Sequence, residues 1–540
     1  MSAELIAAVL ARTPGWAEQA EAAGLDDVAL SQILEAAEVR AQGDLAPLAA
    51  RADAAGCRVE GGRVIVPDGY PAAYRALAED GWIGTDLSPD LGGMGLPLPV
   101  HVAATLPMEG AALPFMMALG SSRAGAHLLA GAAPELAAEW APRIASGEWT
   151  ATICISEPDA GSDVGRIRTR ARREGDRWVI EGTKCWISFG DHDMADRIGH
   201  LLLARTGTPE DGSRGLSLFL VADRDKTGAR NGITVERIEE KLGLHGSPTC
   251  VLRFDGAEAT LIGAPGRGLS QLFGMIELMR LQVGTQGAGI ALECARLARD
   301  YAAERRQGGD PSGPPTPIEA HPDVQRQLAV LDAHAVLLTA LALETAVTME
   351  QAHQGDDGAT ARAAFLLPLV KTFGGELGTA SASGAIQIFA GAGYTREWPV
   401  ERHYRDARIM TIYEGTTGMQ AQDFLLRRLI KEEGRGLEDF AARVTAELSG
   451  DSLTEEMMER LRVVASRLCD ASPEARLQAA DGALRAGWCA VSAALAARMT
   501  GYDARTDRAM AQWRALLPAR MAEAEAQVAF GLDLAGIKQS

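Results

Sequence analysis

The sequence predicts a mainly α protein with a central β domain: an N-terminal helical domain, a middle β barrel or sandwich, a C-terminal helical bundle and an appended C-terminal helical domain. Three observations carry this. Apolar residues recur at helical steps over most of the first 150 residues and again from Gly268 to the end. Between Thr150 and about Gly263 the pattern changes to short β-rich runs separated by Gly, Asp, Ser and Pro. At 540 residues the chain is also too long for one hydrophobic core, so two to four domains are expected. The boundaries are placed at 1–150, 151–265, 266–432 and 433–540.

In the first domain, residues 3 to about 58 read helical, as in LSQILEAAEVRAQGDLAPLAARAD. Gly56, Gly61 and Gly62 break the pattern, and a further helix runs from Pro71 through Trp82 with Tyr74, Leu77 and Ala78 on one face. SPDLGGMGLPLP reads as a structured loop because helical sequence resumes at once, from Val100 to about Ser146. The β domain lies in TATICIS, DRWVIEGTKCWIS, HLLLAR, LSLFLVA, GITVERI and TCVLRFDGA, with turn signals in DGSRG and NGI.

From Gly268 the helices are long. Ile276, Arg280, Val283, Gly287, Ile290, Cys294, Leu297 and Tyr301 form a packing seam in which Arg280 requires a partner. A second helix spans Val324 to about Gln354 with Leu328, Leu331, Ala335, Leu338 and Ala342 as its stripe; a third runs from about Ala359 to Ser383, and a fourth from near Gly418 to Leu429. After EEGRG, segments 438–449, 453–469, about 473–499 and 505–532 suit four further helices, with a capping box at Ser452 and Glu455. This appended unit carries no catalytic constellation, so packing or subunit contact is its expected role.

Composition narrows the function classes. A net charge of −19 argues against a protein that lives on phosphate backbones. The seven cysteines show no CxxC pair, so no disulfide framework and no metal site is expected, and a reducing compartment fits. The N-terminus lacks a basic n-region, no apolar run approaches a membrane span, and GIKQS is no targeting signal, which makes a cytoplasmic protein the default.

Signatures for P-loop, zincin, serine-hydrolase and dinucleotide folds are absent. Three Gly-rich stretches remain. CISEPDAGSDVG turns the chain after a strand, exposing backbone N–H groups and hydroxyls that suit a phosphate or a polar ring edge as well as an ordinary β-turn. In GTKCWISFG, the indole of Trp186 could face a flat ring, with Ser188 as a donor, or fill the core. QIFAGAGYTREWPVERHYRDARIMTIYEGTTGMQ holds Glu414 between Tyr413 and Gly415; alone it reads as a loop carboxylate, and burial would make it a proton-transfer group.

These residues carry a resemblance. CISEPDAGSD resembles the TEPxAGSD signature of the acyl-CoA dehydrogenase family, KCWIS its KxWIT strand, and the stretch from Gln387 to Gln420 its C-terminal signature, all in the family's order and spacing. PDGYPAAYRALAEDGWIGTDLSPDLGGMGLPLP, ERRQGG and HPDVQR resemble the longer bacterial branch that includes 3-methylmercaptopropionyl-CoA dehydrogenase and carries an extra C-terminal helical domain.

The resemblance implies FAD-dependent α,β-dehydrogenation of an acyl-CoA, with Glu414 as the base, Gly415 giving clearance for the thioester, and electrons passing to an electron-transfer flavoprotein. It implies cofactor contacts from Ile153, Cys154, Ile155, Ser156, Gly161, Ser162, Trp186, Ile187, Ser188, Thr416, Thr417 and Gly418. Arg305, Gln387 and Gly391 would reach the cofactor across a subunit boundary in a homodimer or homotetramer. Ser162, Glu277 and Arg280 match positions that contact CoA. Met279 stands where some relatives place the base and cannot act as one. Ser156 and Ser188 replace Thr and keep the hydroxyl, whereas Ile153 and Gly308 replace aromatics. Branch resemblance nominates short or S-methylated acyl groups. The alternatives are an acyl-CoA oxidase and a nucleic-acid-associated flavoprotein of the same fold, the latter disfavoured by the acidic balance.

Overall fold

The computed structural model describes residues 2–225 and 227–537. Helices α1 (Ser2–Ala11), α2 (Trp16–Ala22) and α3 (Asp27–Arg40) open the chain, and a π-helical turn at Ala41–Leu45 leads into α4 (Ala46–Ala55). A short antiparallel hairpin of β1 (Arg58–Glu60) and β2 (Arg63–Ile65) precedes α5 (Tyr70–Glu79), α6 (Leu98–Ala132) and α7 (Pro134–Ala145). The hairpin corrects the reading of the Gly56 to Gly62 region as a helix break alone: CRVEGGRVI alternates around a Gly-Gly turn, a hairpin signal in its own right.

The β domain contains β3 (Trp149–Cys154), β4 (Arg170–Glu174), β5 (Arg177–Ser188), β6 (Arg197–Arg205), β7 (Leu216–Ala222), β8 (Ile233–Ile238) and β9 (Thr249–Ile262). Strands β6, β4, β5, β9 and β7 close into a ring, with β3 added on β6 and β8 on β9, so the domain is a small barrel. Its core is built by Cys154, Ile180, Ile187, Leu202, Phe219, Val221, Leu252 and Phe254. The sequence reading missed β4, whose RARRE buries only Ala171; strand pairing with β5 and not burial makes it a strand.

The later helices are α8 (Gly268–Glu304), α9 (Pro322–His353), α10 (Asp357–Phe389), α11 (Val400–Ala407), α12 (Thr417–Gln422), α13 (Arg435–Glu447), α14 (Ser452–Cys469), α15 (Pro473–Met499) and α16 (Ala504–Ile537), with a π-helical run at Asp423–Lys431 after α12. The expected stripe of α9 is buried, and burial continues all round from Leu328 to Thr348. The expected capping box at Ser452 is not used: Asp451 caps α14, its carboxylate accepting from the Thr454 N–H.

Helices α6 and α9 are long and apolar enough to cross a membrane by length and composition, which corrects the reading that no run approaches a span; their apolar windows are 100% and 94% buried inside the protein. Helix α6 kinks at Ala112 (φ −147°, ψ 51°), two residues before Pro114, which lacks the N–H needed to continue the ladder.

The chain divides into two compact units. One takes the chain up to Val39, Pro97–Ala111 and everything from Arg280 onward, so it unites the bundle helices with α13 to α16. The other takes Arg40–Leu96 and Ala112–Met279 and contains the barrel. In the bundle unit α8 and α10 meet at backbone distance: a Cβ on Gly287 would lie 2.0 Å from the Gly374 carbonyl oxygen. Only glycine permits that approach, and it sets where the side chains of both helices point.

Candidate active site

In the bundle unit, Glu414 occupies a turn between a 3₁₀ segment ending at Thr411 and α12. Both Glu414 (φ 53°) and Gly415 (φ 90°) adopt left-handed backbone, a rare state for a residue with a side chain. Two side chains hold it there. Gln420, fully buried on α12, donates its Nε2 to the Glu414 carbonyl at 3.0 Å, and Lys371 Nζ of α10 donates to the Gly415 carbonyl at 2.5 Å. Thus Gly415 is required first by the turn itself, where a Cβ would also meet Gln420 at 2.8 Å.

The surroundings of Glu414 are mixed. Its carboxyl is partly buried, and burial raises its pKa against the opposing pull of Arg280 and Lys371. Arg280, the charge in the α8 seam, finds its partner in Asp423 at 2.7 Å, and Asp423 also receives Arg428 at 3.3 Å. The hydroxyl of Tyr413 donates to Gln286 Oε1 of α8. Burial pushes the Tyr413 phenol well up, with Glu109 and Glu414 adding to the effect.

Sequence reasoning missed Glu109. It lies on α6, 1% exposed, with Gln282 Nε2 donating to its Oε1 at 3.2 Å. Burial raises it to about 8 against the hydrogen bonds of Gln282 and Gln286. A lone acid inside the apolar run AATLPMEGAALPFMM was the available signal.

Arg305, Gln387 and Gly391 are solvent-exposed on the bundle unit. Stacking of Tyr301 on Phe389 (4.1 Å between centroids), with Trp398 edge-on to both, joins the end of α8 to the end of α10 and brings these three into one neighbourhood. Thr416 and Gly418 are exposed and Thr417 half-buried at the start of α12. In REWPVERHYRDAR, Arg402, His403 and Asp406 are buried and Arg405 pairs with Glu401, which gives that charge cluster a packing role.

In the barrel unit, β5 bulges against β9 between Lys184 and Ile187. Trp186 takes φ 62° there and its indole is 61% exposed, not a core residue. Ser156 and Ser188 are half-buried, Gly161 and Ser162 exposed, and Ile153 and Ile155 half-buried. Cys154 and Ile187 point into the barrel core, so only their backbone can meet a ligand. An exposed indole on strained backbone, beside partly open hydroxyls, suits a flat ring with polar edges. Glu277, on the part of α8 that belongs to this unit, is half-buried.

A buried pair stiffens this region. Lys184, 0% exposed, donates to the Ile155 carbonyl at 2.8 Å and to Glu157 Oε1 at 2.9 Å. The Glu157 carboxylate also accepts the N–H groups of Arg168 (2.7 Å) and Thr169 (3.0 Å), and Cys185 N–H bonds the Ser156 carbonyl at 3.0 Å. The KxW and SEP motifs are therefore one hydrogen-bonded assembly.

Comparison with known proteins decides the family. The acyl-CoA dehydrogenase N-terminal, middle and C-terminal domain patterns match residues 29–148, 152–257 and 266–429 in turn. The chain belongs to the acyl-CoA dehydrogenase family. It is similar to 3-methylmercaptopropionyl-CoA dehydrogenase of Ruegeria pomeroyi, with 37% identity over 81% of this chain and 76% of that protein. It is 35% identical to the broad-specificity linear acyl-CoA dehydrogenase FadE5 of Mycobacterium tuberculosis over 71% of this chain and 66% of the relative.

Among solved structures, Caenorhabditis elegans ACDH-11 in complex with C11-CoA aligns with a TM-score of 0.77 at 24% identity, covering 94% of this chain and 89% of that one, a likeness of fold. The glutaryl-coenzyme A dehydrogenase glutaryl-CoA complex aligns at 0.63 with 27% identity over 75% of this chain and 96% of the other. This acyl-CoA dehydrogenase is accordingly an oxidoreductase acting on CH–CH groups.

Proposed function

We propose that the protein is an FAD-dependent acyl-CoA dehydrogenase in which Glu414 takes the α-proton of a bound acyl-CoA, giving a trans-2-enoyl-CoA, with electrons passing to an electron-transfer flavoprotein. The observation that carries this is the Glu414 turn. An α C–H is a weak acid, so its base must be ionised yet poorly hydrated, and burial opposed by Arg280 and Lys371 supports that state. The thioester oxygen needs fixed donors as negative charge builds on it. No hydrogen bond from the Glu414 N–H is present among the described residues, and the clamped turn would hold that N–H ready for the oxygen.

The residues at hand fit FAD. In the barrel unit Trp186, Ser188 and the segment Ile153 to Ser162 would hold it, Cys154 and Ile187 by backbone alone; in the bundle unit the family resemblance gives Thr416 to Gly418 a cofactor-contacting role. Arg305 and the Gln387 to Gly391 segment would reach it from a second subunit. The chemistry FAD supplies when bound is acceptance of the β-hydrogen as hydride. Exposed Tyr394 (87%) and Trp398 (37%) beside those residues support a homo-oligomer. CoA would meet Ser162, Glu277 and Arg280. The name of the Ruegeria pomeroyi relative supports a short acyl group, with or without a thioether, and the cysteine usage supports a cytoplasmic site of action.

The test is stopped-flow reduction of the bound flavin by acyl-CoAs without oxygen. Glu414→Gln is expected to slow it by roughly 10²- to 10⁴-fold while leaving flavin content unchanged. Unslowed reduction in that variant would reject Glu414 as the base. Stoichiometric peroxide without another acceptor would favour an oxidase.

A further inference from the structure

Lys371 is fully buried in α10, an unusual place for an ammonium group. Among the described residues no carboxylate oxygen lies within salt-bridge distance of it; its one hydrogen bond is to the Gly415 carbonyl, at 2.5 Å. That peptide follows the Glu414–Gly415 peptide, whose carbonyl Gln420 pins at 3.0 Å. Two successive pinned carbonyls fix the torsions around Gly415 and hold Glu414 in the left-handed region, from which the chain would otherwise relax.

We propose that Lys371 is a positioning residue for Glu414: it clamps the turn from which the acid projects and brings a buried cation to that turn. This rests on Glu414 being the base. The charged groups facing the pair come from each neighbouring element. Arg280 of α8 attracts Glu414 and repels Lys371, and is itself paired with Asp423. Glu376 of α10 attracts Lys371 and is held by Arg485 of α15 at 3.1 Å. Tyr413, on the turn itself, feels both Glu414 and Glu109 of α6. Burial pushes Lys371 down to about 8, leaving it cationic at neutral pH. The sign follows: a cation beside a carboxylate lowers its pKa, so removing the cation raises it and moves the acid limb of the rate profile to higher pH.

The experiment is the pH profile of flavin reduction by acyl-CoA for the holoenzyme. Lys371→Gln keeps a donor for Gly415 and removes the charge; its acid limb is expected to rise by roughly one pH unit with the plateau largely retained. Lys371→Met removes charge and donor, so the limb rises and the plateau falls as well. Met is apolar and of similar length, and because no carboxylate oxygen among the described residues lies within salt-bridge distance of Lys371 the exchange breaks no close ion pair; the unfolding midpoint of each variant checks that it folds. An acid limb that stays in place in either folded variant overturns the inference, provided the wild type is reduced and Glu414→Gln is slowed by at least about 10²-fold. If the wild type is not reduced, or Glu414→Gln is reduced at the wild-type rate, the reading of Glu414 fails instead, and the two failures are distinguishable.

Discussion

Glu109 shows how one buried carboxyl sets the pH response of the bundle unit. Its folded pKa of about 8 lies above the unfolded value, so the folded state holds the proton more tightly. Stability therefore falls as pH rises from about 4.5 toward 8, by up to about 1.4 kcal/mol per unit, and the loss stops growing above that window. Glu109→Gln, the neutral isostere, is expected to stabilise the protein at neutral pH with a gain that vanishes near pH 4; denaturant unfolding across that range checks it, and a pH-independent difference would contradict it. Lys184 acts at the same scale in the barrel unit. Lys184→Met leaves the Glu157 carboxylate buried without its cation, at an expected cost of about 3–5 kcal/mol. The assembly joining the KxW and SEP motifs would loosen with it, so flavin retention after gel filtration should drop along with the unfolding midpoint.

At the scale of elements, much was legible because long periodic helices announce themselves. The α8 seam, the α9 stripe and the four C-terminal helices follow directly from apolar spacing. What escaped is instructive. Strand β4 is four charged residues around one buried alanine, so no apolar alternation marks it, and the Gly175-Asp176 turn that joins it to β5 is its one local signal. Trp186 was left open between core and ligand, and the bulge that turns it outward depends on pairing with β9. Glu414 is singled out by motif, but the partners that hold its turn, Lys371 and Gln420, are identified only in the fold, and Glu109 looks in sequence like an interruption in an apolar helix. The appended helices proved less separate than their sequence: Arg498 of α15, buried, bonds Glu344 of α9 and Glu447 of α13, and Trp488 of α15 stacks on Phe373 of α10 at 4.8 Å. Arg498→Ala would leave Glu344 buried and unpaired. It is expected to lower the stability of the bundle unit by about 3–5 kcal/mol, in a single calorimetric transition shared with the bundle; an early, separate transition of the C-terminal helices would contradict that coupling.

For the whole molecule, family membership settles the class of chemistry, and the central proposal is that Glu414 on its clamped turn would take the proton from carbon 2 of a bound acyl-CoA. A panel of short, thioether-bearing, branched and long acyl-CoAs, added anaerobically to the yellow holoenzyme and followed by visible flavin absorbance, tests it most directly. Bleaching by at least one short or S-methylated acyl-CoA, slowed by roughly 10²- to 10⁴-fold in Glu414→Gln, is the expected result. A wild-type flavin that no acyl-CoA bleaches, or a Glu414→Gln variant that bleaches at the wild-type rate, would contradict it.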